Sequence, residues 1–230
     1  MAYIIGYADG TVRPNGNITR AEIATIYFRL LTDENREEFW ATENGFADVN
    51  ANDWFNLAVS TLDNAGVIVD VKDGNFRPND PITRAELSVM AAQFCKVTGK
   101  LPKTSFSDLD KDYWAYDEIT LIEYAGWIKG YPDGTFRPDN TVTRAEAMTI
   151  INRMLERAVE EDDMLEGMLT FVDCPNAEWF YEAIQEATNS HDYKRSKDKV
   201  EDYGYKYEIW TELLEAPNWA AMEQAWINAR

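Results

Sequence analysis

The sequence predicts a mainly α protein built from three related units, and three observations predict it. The tetrapeptide Thr-Arg-Ala-Glu recurs at 19–22, 83–86 and 143–146, at steps of 64 and then 60 residues. A second element, Phe-x-Asp, recurs at Phe46/Asp48, Phe106/Asp108 and Phe171/Asp173, each followed by a tryptophan at Trp54, Trp114 and Trp179. The chain of 230 residues is 45% hydrophobic and 13% aromatic, which suffices for a packed core. Two independent motifs that share one period near 60 identify a repeat architecture.

Each element has a local cause. Thr-x-x-Glu is a capping box: the threonine side chain takes the amide of the third helical residue, and the glutamate reaches back to the threonine amide. Helices therefore open at about residues 19, 83 and 143, with Thr19/Glu22, Thr83/Glu86 and Thr143/Glu146 as structural caps. The first carries Ile23, Ile26, Tyr27, Leu30 and Leu31, the second Leu87, Met90, Ala91 and Phe94, and the third Ile150, Ile151, Met154 and Leu155. Apolar faces this wide suit the centre of a bundle. A second class of helix is expected from about 52, 112 and 177, with Val59/Leu62, Ile119/Ile122 and Ile184/Ala187 at i, i+3 spacing. Gly66 and Gly126 stop the first two of these. Between the helices, Asp9-Gly10, Asp73-Gly74 and Asp133-Gly134 mark turns, and Arg13-Pro14, Arg77-Pro78 and Arg137-Pro138 carry the chain back in an extended loop. A short β-bridge is expected at Asn75-Phe76 or Thr135-Phe136.

The repeats delimit a module over residues 1–190 and a tail over 191–230. The tail holds Lys194, Arg195, Lys197 and Lys199, then Tyr203, Tyr205, Tyr207, Trp210, Trp219 and Trp226. Pro217 fits the first turn of a final helix, with Met222 and Trp226 on one face. The aromatics are expected to pack on the module; a sugar-stacking surface is the alternative.

Composition excludes several functions. With 41 acidic against 22 basic side chains the net charge is −19, the wrong sign for a general nucleic-acid binder. No apolar run reaches membrane-spanning length, and no secretory signal follows Met1. Cys95 and Cys174 lack flanking ligands and the sole histidine is His191, so neither a metal site nor a Cys/His catalytic pair is expected. The thiols read as buried, with a disulfide as the alternative. The run Asp108 to Asp112 fails as a calcium loop, because Tyr113 stands where glycine is required and Ile119 where a bidentate glutamate belongs. No nucleophile elbow, phosphate loop or zinc-protease motif occurs, and a threefold pattern does not suit one asymmetric catalytic constellation. The protein is not expected to be an enzyme, and no cofactor is expected.

The segments Gly-Tyr-Pro-Asp-Gly-Thr-Phe-Arg-Pro-Asp-Asn-Thr-Val-Thr-Arg-Ala-Glu (130–146), Gly-Tyr-Ala-Asp-Gly-Thr-Val-Arg-Pro (6–14) and Phe-Ser-Asp-Leu-Asp-Lys-Asp-Tyr-Trp-Ala (106–115) resemble S-layer homology domains. The resemblance covers residues 4–190. It implies a pseudo-threefold spindle: a central three-helix bundle, peripheral helices and short loop or β-bridge segments. A family repeat normally begins with the Phe-x-Asp helix, whereas this chain begins with the loop and ends with a Phe-x-Asp helix, so the set is complete but permuted. The segment at 171–190 is expected beside the first capping-box helix, closing the ring; a chain cut inside repeat one is the alternative.

The candidate site follows from both readings. Arg20, Arg84 and Arg144 each occupy the first helical position, where the helix dipole and free amides favour an anion and a planar guanidinium fork adds a match for carboxylate or phosphate. From spacing alone they serve either internal pairing or binding. The resemblance implies binding: its inter-repeat grooves hold secondary cell wall polysaccharides linked to peptidoglycan, often carrying a pyruvate ketal, and the matching arginine is associated with that contact. Gly6 and Gly130 are read as letting a ligand approach the backbone, while Asp70 in unit two places that groove in doubt. Asp9, Asp73 and Asp133 read first as turn residues on a loop that lines the groove. Trp54, Trp114 and Trp179 either stack on a sugar or pack in the core. The expected protein is an extracellular cell-wall anchoring module, a monomeric part of a larger secreted protein, with no nucleic-acid or membrane partner. A protein–protein adhesion or S-layer assembly module is the alternative.

Overall fold

The three capping boxes form as the sequence requires. In the computed structural model, which describes residues 1–68, 73–200 and 204–230, they open α1 (Arg20–Leu30), α4 (Arg84–Ala92) and α6 (Arg144–Met154). The Glu22, Glu86 and Glu146 amides donate to Thr19, Thr83 and Thr143 Oγ1 at 3.2 Å, and each glutamate accepts from its threonine amide at 2.8–2.9 Å. The second class of helix starts later than the sequence suggests. α3 (Asn56–Asn64), α5 (Tyr116–Tyr124) and α7 (Tyr181–Thr188) follow two tight turns that contain the tryptophan. Those turns are stapled by backbone bonds such as Asn56 N to Asp53 O and Tyr116 N to Tyr113 O, so the helical bonding pattern begins after the tryptophan. Gly66 and Gly126, at φ +70° and +78°, end α3 and α5. There Val67 N returns to Leu62 O and Trp127 N to Ile122 O, closing the final turn as glycine at that place allows. A short helix, α2 (Asp33–Glu38), capped by Thr32, was not foreseen.

The chain divides into two compact units, Asn15–Ile150 and Met1–Pro14 with Ile151–Arg230. In the first, the residues just before each capping box form a closed ring. Ile18 N donates to Val142 O, Val142 N to Ile82 O and Ile82 N to Ile18 O, at 3.0–3.1 Å. Isolated bridges pair Asn17 with Thr143, Thr19 with Pro81 and Thr83 with Thr141. The β-bridges therefore fall here, not at Asn75-Phe76 or Thr135-Phe136, because an extended residue ahead of a helix leaves its amide and carbonyl open to a neighbouring repeat. Helix α1 packs on α3 and α4 on α5. Ile18, Ile23, Tyr27, Leu62, Ile82, Leu87 and Ile119 are fully buried in this unit.

The second unit joins the N-terminal loop, α7 and the tail. The tail has regular elements of its own. β1 (Ser190–Lys199) and β2 (Lys206–Leu214) form an antiparallel hairpin, and α8 (Trp219–Asn228) follows. Asn218 caps α8, so Pro217 lies ahead of the helix and not in its first turn. Of the tail aromatics, Trp210 and Trp219 are buried, Tyr205, Tyr207 and Trp226 are half-buried, and Tyr193 is exposed. Tyr203 lies outside the described residues. Ala2 N donates to Ser190 Oγ at 2.8 Å and Tyr3 N to Ala187 O at 3.0 Å, tying the N-terminus to the end of α7. Both cysteines are free thiols, which removes the disulfide alternative. Cys174 is buried, and burial pushes its thiol up to about 11; Cys95 is half-buried.

Candidate functional site

The three arginines at the helix starts are buried, at 3%, 6% and 5% exposure for Arg20, Arg84 and Arg144. Each reaches the glutamate of another repeat. Arg20 Nη1 lies 2.6 Å from Glu86 Oε1, Arg84 Nη1 3.5 Å from Glu146 Oε1, and Arg144 Nη1 3.2 Å from Glu22 Oε1. One tetrapeptide thus does two jobs. Its glutamate caps its own helix through Oε2 and accepts the neighbour's arginine through Oε1, so the ion pairs run around a closed ring. The guanidiniums have further internal contacts: Arg20 Nε donates to Phe76 O at 2.6 Å, Arg84 Nε to Phe136 O at 2.8 Å, and Arg84 Nη2 to Lys129 O at 3.3 Å. Arg84 also lies over the Phe136 and Tyr131 rings. Burial pulls the Arg20 and Arg84 pKa values down, against the pull of the adjacent carboxylates. Of the two roles open from spacing, the internal pairing is formed, and its acid is the capping glutamate of another repeat.

The tryptophans behave in the opposite way. Trp54, Trp114 and Trp179 are 63%, 55% and 65% exposed, which overturns the core reading for all three. Each sits beside an aromatic neighbour that holds it: Trp54 is edge-on to Phe55 at 5.3 Å, Trp179 edge-on to Phe180 at 5.4 Å, and Trp114 tilted against Tyr113 at 5.9 Å. Placing tryptophan in the turn before the helix, not on its apolar face, is what keeps it outside.

The glycines have a packing cause. A Cβ on Gly6 would overlap Cε1 of Phe171, and one on Gly130 would sit 2.7 Å from both Phe106 Cε1 and Thr135 O. The space these glycines leave is filled by the phenylalanine of the Phe-x-Asp motif, not kept open for a ligand. Asp70 lies outside the described residues.

The loop aspartates are turn residues. Asp9 accepts from Thr11 N and Oγ1 and from Arg13 Nη2; Asp133 accepts from Thr135 N and Oγ1 and from Arg137 Nη2. Asp73 holds Asn75 N and Arg77 in the same way. These bonds draw the Asp133 carboxyl down to about 2 and the other two below their usual range.

Two sets of residues were missed by sequence reasoning. Arg13, Arg77 and Arg137 adopt φ of +52° to +56°, a left-handed conformation that arginine rarely takes. The Phe-x-Asp aspartate holds it there. Asp173 accepts from Val12 N and Arg13 N, Asp48 from Phe76 N and Arg77 N, and Asp108 from Phe136 N and Arg137 N, all at 2.7–2.9 Å. The last Phe-x-Asp turn therefore holds the first loop. These three arginine side chains are about half exposed. Arg13 stacks on Tyr7 at 3.8 Å and Arg137 on Tyr131 at 4.1 Å. The signal was the Asp-Gly-x-x-Arg spacing, with a tyrosine two residues before the aspartate in units one and three, which puts ring, acid and guanidinium on one turn there.

The S-layer homology domain profile matches residues 2–24, 45–88 and 105–148, one segment per repeat. The chain belongs to the S-layer homology family. A cellulosome-anchoring protein of Acetivibrio thermocellus is 34% identical over 197 residues, covering 84% of this chain and 43% of that protein. Cell surface glycoprotein 1 of the same organism is 33% identical over 205 residues, covering 84% of this chain and 8% of its own length. An amylopullulanase of Thermoanaerobacterium thermosulfurigenes is 35% identical over 161 residues, covering 66% of this chain and 8% of the enzyme. This S-layer homology chain thus spans less than half the length of each of these relatives. No helix among the described residues is long and apolar enough to cross a membrane.

Proposed function

We propose that this S-layer homology chain is a noncovalent cell-wall anchoring module that binds an anionic, pyruvylated secondary cell wall polysaccharide linked to peptidoglycan. The observation that carries the reading is the exposure of Trp54, Trp114 and Trp179 at matching places in the three repeats. An indole held by a neighbouring ring presents an apolar face to a sugar at little entropic cost. A polymer with a repeating unit suits a receptor with a repeating surface. The exposed cations beside the loops are Arg13, Arg77 and Arg137, and these join the carboxylate-binding role first assigned to Arg20, Arg84 and Arg144. The latter three act as braces that fix the helix starts and the loops above them. Asp9 and Asp133 shape the loop, and Gly6 and Gly130 let it close on phenylalanine. The function is attachment and not catalysis; the amylopullulanase match, confined to 8% of that enzyme, is in keeping with a shared module. The site of action is the extracellular wall, with a larger secreted protein as cargo.

The experiment is retention of the purified chain on protein-free sacculi. The reading predicts retention that is lost when the secondary polysaccharide is chemically stripped. A protein–protein adhesion module would leave the sacculi unbound before and after stripping.

A further inference from the structure

The second unit buries a cluster that wall binding does not use. Glu186 on α7, His191 on β1 and Glu208 on β2 have fully buried side chains. His191 Nδ1 faces the Asn189 carbonyl at 3.1 Å. Its Nε2 faces Glu208 Oε2 at 3.0 Å and Glu186 Oε1 at 3.3 Å. A carbonyl and two carboxylates only accept, so both ring nitrogens have to donate, and a ring with two N–H groups is an imidazolium. The remaining contacts agree. Trp210 stacks on the imidazole at 4.1 Å and 17°, an arrangement that favours a cation, and its Nε1 donates to Glu186 Oε2 at 3.2 Å. Arg157 Nε donates to Glu186 Oε1 at 2.6 Å. With the histidine charged, it lies between the two carboxylates, with Arg157 on the far side of Glu186. The other groups around the cluster are Arg195, 3.6 Å from Glu208 Oε1, and the Met1 ammonium, Asp192 and Tyr3.

We propose that His191 is a buried imidazolium that fastens the β1–β2 hairpin to α7, and that loss of its proton unlocks the hairpin, making the tail an alkali-sensitive latch. A neutral ring would have to turn a lone pair toward either a buried carboxylate or the Asn189 carbonyl, setting two acceptors against each other and losing a buried hydrogen bond. The direction of titration follows from the same contacts. Burial opposes the charge, but the hydrogen bonds to Glu186 and Glu208 outweigh it, and the histidine pKa is raised above its ordinary 6.5. A raised value means the contribution is complete below 6.5 and is lost as pH climbs through the folded value. Burial pushes the Glu186 carboxyl up, yet the His191 bond and the Arg157 charge bring it below its ordinary 4.5, so its contribution holds above 4.5 and is lost only as pH falls through the lowered value. The latch is thus firmest between those two ordinary values.

Zinc is the rival occupant, since three donor atoms lie within 4.8 Å of one another. It would need a lone pair on Nε2, and it would meet Arg157 at the same Glu186 oxygen.

His191 is the sole histidine, so ring nitrogen NMR on the full chain reads it without ambiguity. The proposal expects both nitrogens protonated at pH 6.5, a midpoint above 6.5, and loss of hairpin amide protection over the same range as the titration. Glu208→Gln should bring the midpoint down; if that variant fails to fold, the wild-type titration decides alone. A midpoint at or below 6.5, hairpin protection that ignores the titration, or stoichiometric binding of added zinc ion at pH 7.5 would overturn it.

Discussion

At the scale of single residues, Arg20, Arg84 and Arg144 brace the fold: each is buried and paired with the capping glutamate of another repeat. Arg20→Ala should destabilise the chain by about 3 kcal/mol, because the largely buried Glu86 carboxylate loses its cation and keeps only its capping bonds. Urea unfolding measures this, and a loss under ~1 kcal/mol, the usual range for an exposed pair, would contradict the bracing role. Gly130→Ala should cost about 1–3 kcal/mol, as expected where added atoms force packed neighbours to shift; here they are Phe106 and the Thr135 carbonyl. At Asp133 the carboxyl is held to about 2 by the Thr135 side chain first and then by Arg137, so the loop clamp should be complete above pH 4 and lost as pH falls toward 2. The Thr135 amide shift followed by NMR reports that transition; a midpoint near the ordinary carboxylate value would count against the clamp. What sequence could show at this scale was residue type and spacing. It could not show that Glu22, Glu86 and Glu146 use one oxygen for their own helix and the other for a neighbour, because that sharing depends on how repeats meet.

At the scale of elements, the capping boxes were legible because the interaction is local: four residues hold both partners. Thr83→Ala should therefore cost about 1 kcal/mol, the usual worth of a side-chain cap, read as a lower midpoint in thermal unfolding monitored by circular dichroism. The tryptophan helices were legible in kind but shifted at their starts, since Asp53 and Tyr113 engage tight turns that a periodicity argument does not detect. The tail hairpin was missed for a different reason. Its strand Ser190–Lys199 is highly charged and exposed along most of its length, so it lacks the apolar alternation that marks a strand, and what anchors it is the buried His191 cluster. A lone histidine gave no hint of two glutamates, one 5 and one 17 residues away in sequence, folding against it.

At the scale of the molecule, the repeat period carried the reading, and the profile match places one segment in each repeat. The ring of Ile18, Val142 and Ile82 backbone bonds explains why three units occur together: each repeat leaves an amide and a carbonyl that only a neighbour satisfies. In every repeat the tryptophan is exposed while the capping-box arginine is buried. Trp54→Ala, Trp114→Ala and Trp179→Ala combined should leave the unfolding midpoint nearly unchanged, since exposed positions contribute little to stability. The most direct test is the affinity of that triple variant for protein-free sacculi that retain their secondary polysaccharide. The account predicts a loss of at least tenfold, about 1.4 kcal/mol, with the fold intact. Wild-type affinity in a folded triple variant would contradict it.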